Sequence, residues 1–263
     1  MKKRVVAIIP ARLASSRFPG KPLARILGLP MIEHVRRRAQ LAKGIDEVVV
    51  ATCDQAIIDT VTDAGGKAVM TADTHERASE RAAEAMRTLK ADVVAVVQGD
   101  EPALWPDAVA QVVQPLLEHK DLVCISLLSP LESDADCANP DIVKAACDQC
   151  GHVIFFSRAS IPYYQRKVET CPVYRETGIR AFRADFLQAY SVLPQTPFER
   201  AESVDMLRVL EHGYRILGVL TSHATLGVDH PEDILLVERL IRTDPAQRRL
   251  YEKILGRKVG VSW

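Results

Sequence analysis

The stretch RVVAIIPARLASSRFPGKPL, residues 4–23, decides the fold. It begins with an apolar run, Val5 to Ile9, that does not alternate with polar residues. A short run of that kind marks a strand buried on both faces, as in a parallel sheet covered by helices. The chain then turns through a loop carrying Arg12, Arg17 and Lys21 among Pro10, Pro19, Gly20 and Pro22, with no acidic residue. The loop is not a P-loop, which needs a glycine five residues before Gly-Lys and a Ser or Thr after it. Ser15 and Pro22 occupy those places.

Outward from this stretch the first half keeps the same rhythm. Helical spacing over about 31–41 precedes the apolar run 46–52. A second helix over about 54–64, the short strand KAVMT, and a third helix over about 79–89 lead into DVVAVVQGDEP. Apolar strands separated by helices predict an α/β fold with a mostly parallel central sheet flanked by helices. Ligands in such sheets bind beyond the carboxyl ends of the strands. Three segments fall there: the basic loop, Thr52–Asp54 and QGDEP at 98–102.

The second half is less regular. DLVCISLL (121–128) reads as a strand, and DIVKAAC and HVIFFSR flank Asp-Gln-Cys-Gly as a hairpin. VYRETGIRAFR alternates as a further strand, a helix near 201–212 precedes YRILGVL, and helices over about 231–242 and 244–255 close the chain. No repeat or low-complexity linker appears. The expected organisation is one domain over 1–263, with the hairpin inserted as a candidate dimerisation arm.

Composition narrows the function classes. The 263 residues carry 34 Lys and Arg against 34 Asp and Glu. Net charge zero gives no global field toward nucleic acid or anionic membrane, so phosphate affinity must be local. No apolar stretch approaches the roughly 20 residues of a membrane span. MKKRVVAIIPAR begins like a signal peptide, but its apolar run is shorter than the h-region of about 7–15 residues. A cytoplasmic protein is expected. Cys147 and Cys150 form a lone CxxC, read as a hairpin turn or as a redox or metal pair; one pair cannot complete a four-ligand zinc site.

The loops at the sheet edge carry the chemistry. Guanidinium groups bind phosphate oxygens in pairs, and a lysine adds a mobile point charge. A solvated basic loop is the bland alternative. Asp100 and Glu101 follow an apolar strand at the same edge, and GDEP could also be an acidic turn before a helix. Asp229, in GVDHPED, is a second ligand candidate, with Glu232 and Asp233 serving the helix that follows. Magnesium takes one or two carboxylates together with phosphate oxygens and water, so Asp100 and Asp229 suit Mg²⁺ with a nucleoside triphosphate. Positioning and electrostatics can supply most of the catalysis of attack at an α-phosphorus.

IPARLASSRFPGKPL, VQGDEP, NPDIVK (139–144), FFSRASIPYY (155–164), GIRAFRADFL (178–187) and GVDHPEDI together resemble the CMP-Kdo synthetases. These are the 3-deoxy-manno-octulosonate cytidylyltransferases, with a Rossmann-like nucleotidyltransferase fold. The resemblance runs in order over almost the whole chain. It implies transfer of CMP from CTP to an acidic sugar in lipopolysaccharide biosynthesis, release of pyrophosphate, Mg²⁺ as cofactor and a homodimer. On it, about 1–120 binds CTP, about 121–230 binds the acceptor and dimerises, and 231–263 forms the C-terminal helices. Ala11, Arg12, Ser15 and Lys21 surround the CTP phosphates and ribose, with Arg12, Lys21 and Asp100 catalytic and Asp100 and Asp229 on the metal. Arg81 lies near the cytosine. Gln98 serves the nucleotide and, with Arg158, the acceptor.

The departures from the family pattern cluster in the acceptor half. Glu176 stands where a histidine is expected, in a segment where RETGIRAF replaces Arg-His-Ile-Gly-Ile-Tyr-Ala-Tyr. Asp205 and Met206 replace Glu and Gln, Arg77 and Ala78 begin the altered RASER segment, and Ser160 and Cys53 replace Pro and Asp. Glu176, Arg180, Asp205 and Met206 are therefore the candidate acceptor-binding set, with a different hydrogen-bonding pattern from the family's. Lost partners of this kind discriminate between substrates by several kcal/mol. The acceptor is Kdo or a related sugar acid. A phosphonate held by Arg77 and Arg180 is the alternative, and a non-catalytic nucleotide-binding subunit a further one. Arg180 has a second reading, as a surface arginine pointing outward.

Overall fold

A computed structural model describes residues 2–15, 17–166, 168, 171–223 and 226–258. Ser16, the second hydroxyl of the basic loop, lies outside them. Four strands form the parallel half of the sheet: β1 (Val5–Ala11), β4 (Glu47–Thr52), β5 (Lys67–Met70) and β6 (Val93–Val96). β2 (Arg25–Ile26) and β3 (Leu29–Pro30) make a separate small hairpin after the basic loop. The remaining strands are β7 (Cys124–Ser129), β8 (Lys144–Cys147), β9 (Val153–Ser157), β10 (Val173–Arg183) and β11 (Ile216–Leu220). The main path runs β11-β7-β10-β6-β1-β4-β5, with β10 antiparallel to both its neighbours.

Why β1 lacks alternation is clear from its two faces. Val5, Ala7 and Ile9 pack against α1 (Met31–Ala39), α2 (Gln55–Asp63) and α4 (Pro106–Glu118). Val6 and Ile8 face α3 (Ala78–Met86), α6 (Ala184–Val192) and α8 (Met206–Glu211) on the other side. Burial on both sides demands apolar residues at every position. A short α5 (Asp134–Ala138), α7 (Pro197–Glu202), α9 (Asp233–Thr243) and α10 (Pro245–Leu255) complete the helices, the last two over a third cluster with Ile26, Met31 and Tyr251.

The expected hairpin is β8–β9, and its turn is the Asp148–Gly151 segment. It is part of the main sheet: β8 pairs with Val173–Arg175 of β10. CxxC lies at this hairpin turn, with Cys147 buried and Cys150 exposed. The helix expected over 201–212 is two helices, broken where Ser203 takes φ 54°. No helix was expected over 184–192, where α6 follows β10 directly. No described helix is long and apolar enough to cross a membrane.

Candidate active site

The carboxyl ends of β1 and β6 open into a cleft of about 930 Å³. Its walls include Ala11, Arg12, Ser15 and Lys21 from the basic loop, Gln98 and Asp100 after β6, and His75, Arg77 and Arg81 before and within α3. A second lobe of about 370 Å³ is lined by Arg158, Arg175, Glu176, Arg180, Asp205 and Asp229, among others. Gln98, Asp100, Arg180 and Asp205 line both, so the two spaces meet along that row.

Local backbone chemistry holds the loops in place. Gly20, with φ 73°, turns the chain into a single 3₁₀ turn beginning at Lys21. Asp54 Oδ2 accepts the Leu13 N–H at 2.8 Å, pinning the basic loop to the end of β4. After β6, Gly99 passes so near β1 that an added Cβ would stand 2.9 Å from the Pro10 carbonyl oxygen, which only glycine tolerates. Val228 N donates to the Asp100 carbonyl at 2.9 Å, bringing the loop of Asp229 against that of Asp100.

These ties assemble a charged centre. Lys21 Nζ donates to Asp100 Oδ2 at 2.7 Å and to the Val228 carbonyl at 2.8 Å, and lies 3.8 Å from Asp229 Oδ1. Arg17 reaches Asp229 Oδ1 at 2.9 Å, so it braces the loop. Asp233 Oδ2 accepts the N–H groups of Asp229 and His230 at 2.8 Å each, which fixes the Asp229 backbone. Arg12 is exposed, and no hydrogen bond or ion pair to a described residue engages it. Arg81 is buried, donates to Thr71 Oγ1 and the Ala72 carbonyl, and keeps a buried Nη2 without a partner among the described residues. Glu84 holds His75 and the Ala72 N–H, steadying the cleft wall that the sequence reading had not singled out.

The acceptor-half residues divide. Gln98 Nε2 donates to the Gly178 carbonyl at 3.2 Å. Arg158 donates to the carbonyls of Glu202 and Pro140 at 2.8 and 2.9 Å. Met206 is a correction: it is fully buried in the core, one residue past the N-cap of α8, and lines neither space. Arg180 is a second correction to the outward reading, being 6% exposed. A bulge in β10 sets three residues, 177–179, opposite one residue of β7. It brings Arg180 Nε within 3.1 Å of Glu176 Oε1. Arg180 Nη1 donates to Asp205 Oδ1 at 2.7 Å, and Ser79 Oγ donates to Asp205 Oδ2 at 2.8 Å. Burial would raise the Asp205 carboxyl, but Arg180, with Ser79 and Arg77, outweighs it and holds it below the ordinary value. Glu101, buried beside Asp100 and Glu176, is pushed well above its ordinary value by burial first and those charges second.

A parallel sheet edge with a basic loop, a lysine between two aspartates and a two-lobed cleft defines a nucleotidyltransferase. The family model for cytidylyltransferases matches residues 6–216. The 3-deoxy-manno-octulosonate cytidylyltransferase of Acaryochloris marina is 43% identical over 90% of this chain and 97% of its own length. That of Solibacter usitatus is 36% identical over 94% and 98%. A solved CMP:2-keto-3-deoxy-manno-octonic acid synthetase complexed with CTP superposes with a TM-score of 0.86 at 38% identity, covering 90% of this chain and 98% of that one. A Leptospira borgpetersenii cytidylyltransferase, 17% identical with a TM-score of 0.63, shares the fold. The chain belongs to the cytidylyltransferase family and, within it, to the CMP-Kdo synthetases.

Proposed function

We propose that this chain transfers CMP from CTP to Kdo or a closely related sugar acid, with Mg²⁺, releasing pyrophosphate. The observation that carries the reading is the meeting of the two lobes at Gln98 and Asp100, beside Lys21. The relatives' names support CTP as donor and Kdo as acceptor. In the reaction an acceptor hydroxyl oxygen bonds to the α-phosphorus. The bond from that phosphorus to the bridging oxygen breaks, its electron pair leaves with pyrophosphate, and the hydroxyl proton passes to solvent. Arg12, Lys21 and Ser15 bind and orient the triphosphate, with the lysine and arginine meeting charge on the leaving group. Arg158 orients the acceptor's acid group, and Gln98 holds the seam between the lobes.

The donor set fits Mg²⁺. Asp100 and Asp229 are hard oxygen ligands with side chains 37% and 48% exposed, which leaves room for water and phosphate oxygens. When bound there, the ion would neutralise phosphate charge and polarise the phosphoryl oxygens. Asp100 and Asp229 would hold it, while Lys21 and Arg17 keep both carboxylates oriented. The six free cysteines suit a reducing cytoplasm. A homodimer through the β8–β9 hairpin suits the exposed Ile154 on β9.

Incubation with CTP, Mg²⁺ and a panel of sugar acids and phosphonates, followed by pyrophosphate release, tests the reading. Kdo or a near relative should turn over best. CTP binding with no turnover of any acid would overturn it in favour of a nucleotide-binding subunit. Sedimentation of the purified chain as a monomer would overturn the dimer.

A further inference from the structure

The row shared by the two lobes contains a buried charge cluster whose arithmetic bears on the acceptor. Glu176 and Asp205 are two carboxylates, and Arg180 is one guanidinium bonded to both. All three side chains are 7–8% exposed. Ser126 Oγ and Ser79 Oγ complete the cluster, on Glu176 and Asp205 respectively. Arg77, on the nucleotide side, donates to Ser203 Oγ at 3.0 Å and also favours the ionised Asp205.

Arg180 therefore has no charge to spare for a ligand. Removing it would leave two buried carboxylates with hydroxyl partners but no bonded cation at the acceptor lobe, a strongly unfavourable state for any anion nearby. Arg175 faces Asp136, 3.6 Å away. Among the described residues lining this lobe, Arg158 is the basic residue whose side chain makes no carboxylate ion pair: its side-chain donors go to neutral carbonyls, while its backbone N–H donates to Glu202 Oε2 at 2.8 Å. Asp100, Glu101, Asp141 and Asp229 also line the lobe, so a single uncommitted guanidinium among so many carboxyl groups suits an acceptor of low negative charge.

We propose that Arg180 is a specificity-determining residue of the acceptor lobe, cancelling carboxylate charge so that the lobe admits an acceptor with a single anionic group, a carboxylate rather than a dianionic phosphonate. The inference rests on the reading that this lobe takes the acceptor. Arg180 acts through Glu176 and Asp205 and is a positioning residue.

Charge compensation and simple bracing are separable. Arg180→Gln takes the trio from net −1 to −2, and Arg180→Gln with Glu176→Gln returns it to −1. With Kdo as acceptor, the single variant should raise acceptor KM about tenfold or more, on the scale of 1.4 kcal/mol, with CTP KM within about twofold of the parent. The double variant should recover most of that loss. Equal impairment of single and double variants, or no effect of the single one, would overturn the proposal. A second measurement needs no variant: the parent enzyme should prefer Kdo over its analogue with phosphonate in place of the carboxylate, at a pH where the phosphonate is dianionic. Preference for the phosphonate overturns the inference while leaving cytidylyl transfer standing. Absence of pyrophosphate release with every acid is instead a failure of the underlying reading.

Discussion

Lys21 Nζ lies 2.7 Å from Asp100 Oδ2 and 3.8 Å from Asp229 Oδ1, so one cation serves both carboxylates. Its third contact, the Val228 carbonyl, ties the same ammonium to the loop that carries Asp229. On the proposed reading, a triphosphate entering the cleft would meet a lysine already oriented toward the place where charge develops on the leaving group. Lys21→Gln should lower kcat about 100- to 1,000-fold, the range for losing one preorganised donor. Pyrophosphate release at saturating CTP measures it. A kcat within tenfold of the parent would remove Lys21 from the catalytic group.

Asp100 is bound more closely by this lysine than Asp229 is, and its own carbonyl anchors Val228 through the backbone alone. Replacing its side chain should therefore spare the fold. Asp100→Ala should abolish detectable turnover at Mg²⁺ concentrations that saturate the parent, with the thermal midpoint little changed. Titrating Mg²⁺ against activity in the milder Asp100→Asn should show half-activation at higher ion concentration. An unchanged Mg²⁺ titration there would count against Asp100 as a ligand.

The parallel half of the sheet was legible in the sequence because β1 and β6 are apolar throughout, and the shared cleft because Arg12, Lys21 and Asp100 follow those strands at one sheet edge. The bracing contact of Arg17 with Asp229, 212 residues away, leaves no mark in the sequence. What stayed hidden depends on direction. Met206 adjoins Asp205, yet the helix turns one into the core and the other to the cleft. Arg180 alternates along β10 like a surface residue, but the bulge at 177–179 and the neighbouring α8 enclose it. Neither a bulge nor a packing neighbour leaves a periodic signal. The break at Ser203 was equally silent, since serine is no strong marker of a positive φ.

Gly178 sits in that bulge at φ 83°, and a Cβ there would stand 2.8 Å from Gln98 Cγ. Gly178→Ala should both strain the backbone by roughly 1 kcal/mol or more and displace Gln98 from the seam between the lobes. Gly151 supplies the control: its φ is also 83°, but the nearest atom, on Leu217, is 3.7 Å away. Both alanine variants should melt a few degrees lower, whereas kcat/KM should fall about tenfold only in Gly178→Ala. Equal kcat/KM in the two variants would show that Gln98 placement is immaterial.

His34 is fully buried in α1, stacks on Tyr251 of α10 at 5.4 Å between ring centroids, and its Nε2 donates to the Ile26 carbonyl at 2.8 Å. Its Nδ1 is buried with no partner among the described residues, which a neutral ring tolerates better than a cationic one. Burial, opposed by the Ile26 contact and reinforced by the nearby Arg38 and Arg37 charges, pushes its pKa down to about 4 from an ordinary 6.5. Above pH 6.5 neither folded nor unfolded chain protonates this ring, and the stability tied to its neutral form is complete. Between 6.5 and 4 the unfolded chain binds a proton that the folded chain refuses, so stability falls as pH falls, and below 4 the loss levels off. The full span corresponds to roughly 3 kcal/mol. His34→Phe keeps a ring against Tyr251 but cannot titrate. Urea unfolding across pH 4–6.5 should give a shallower slope for that variant than for the parent; parallel slopes would mean the acid sensitivity arises elsewhere.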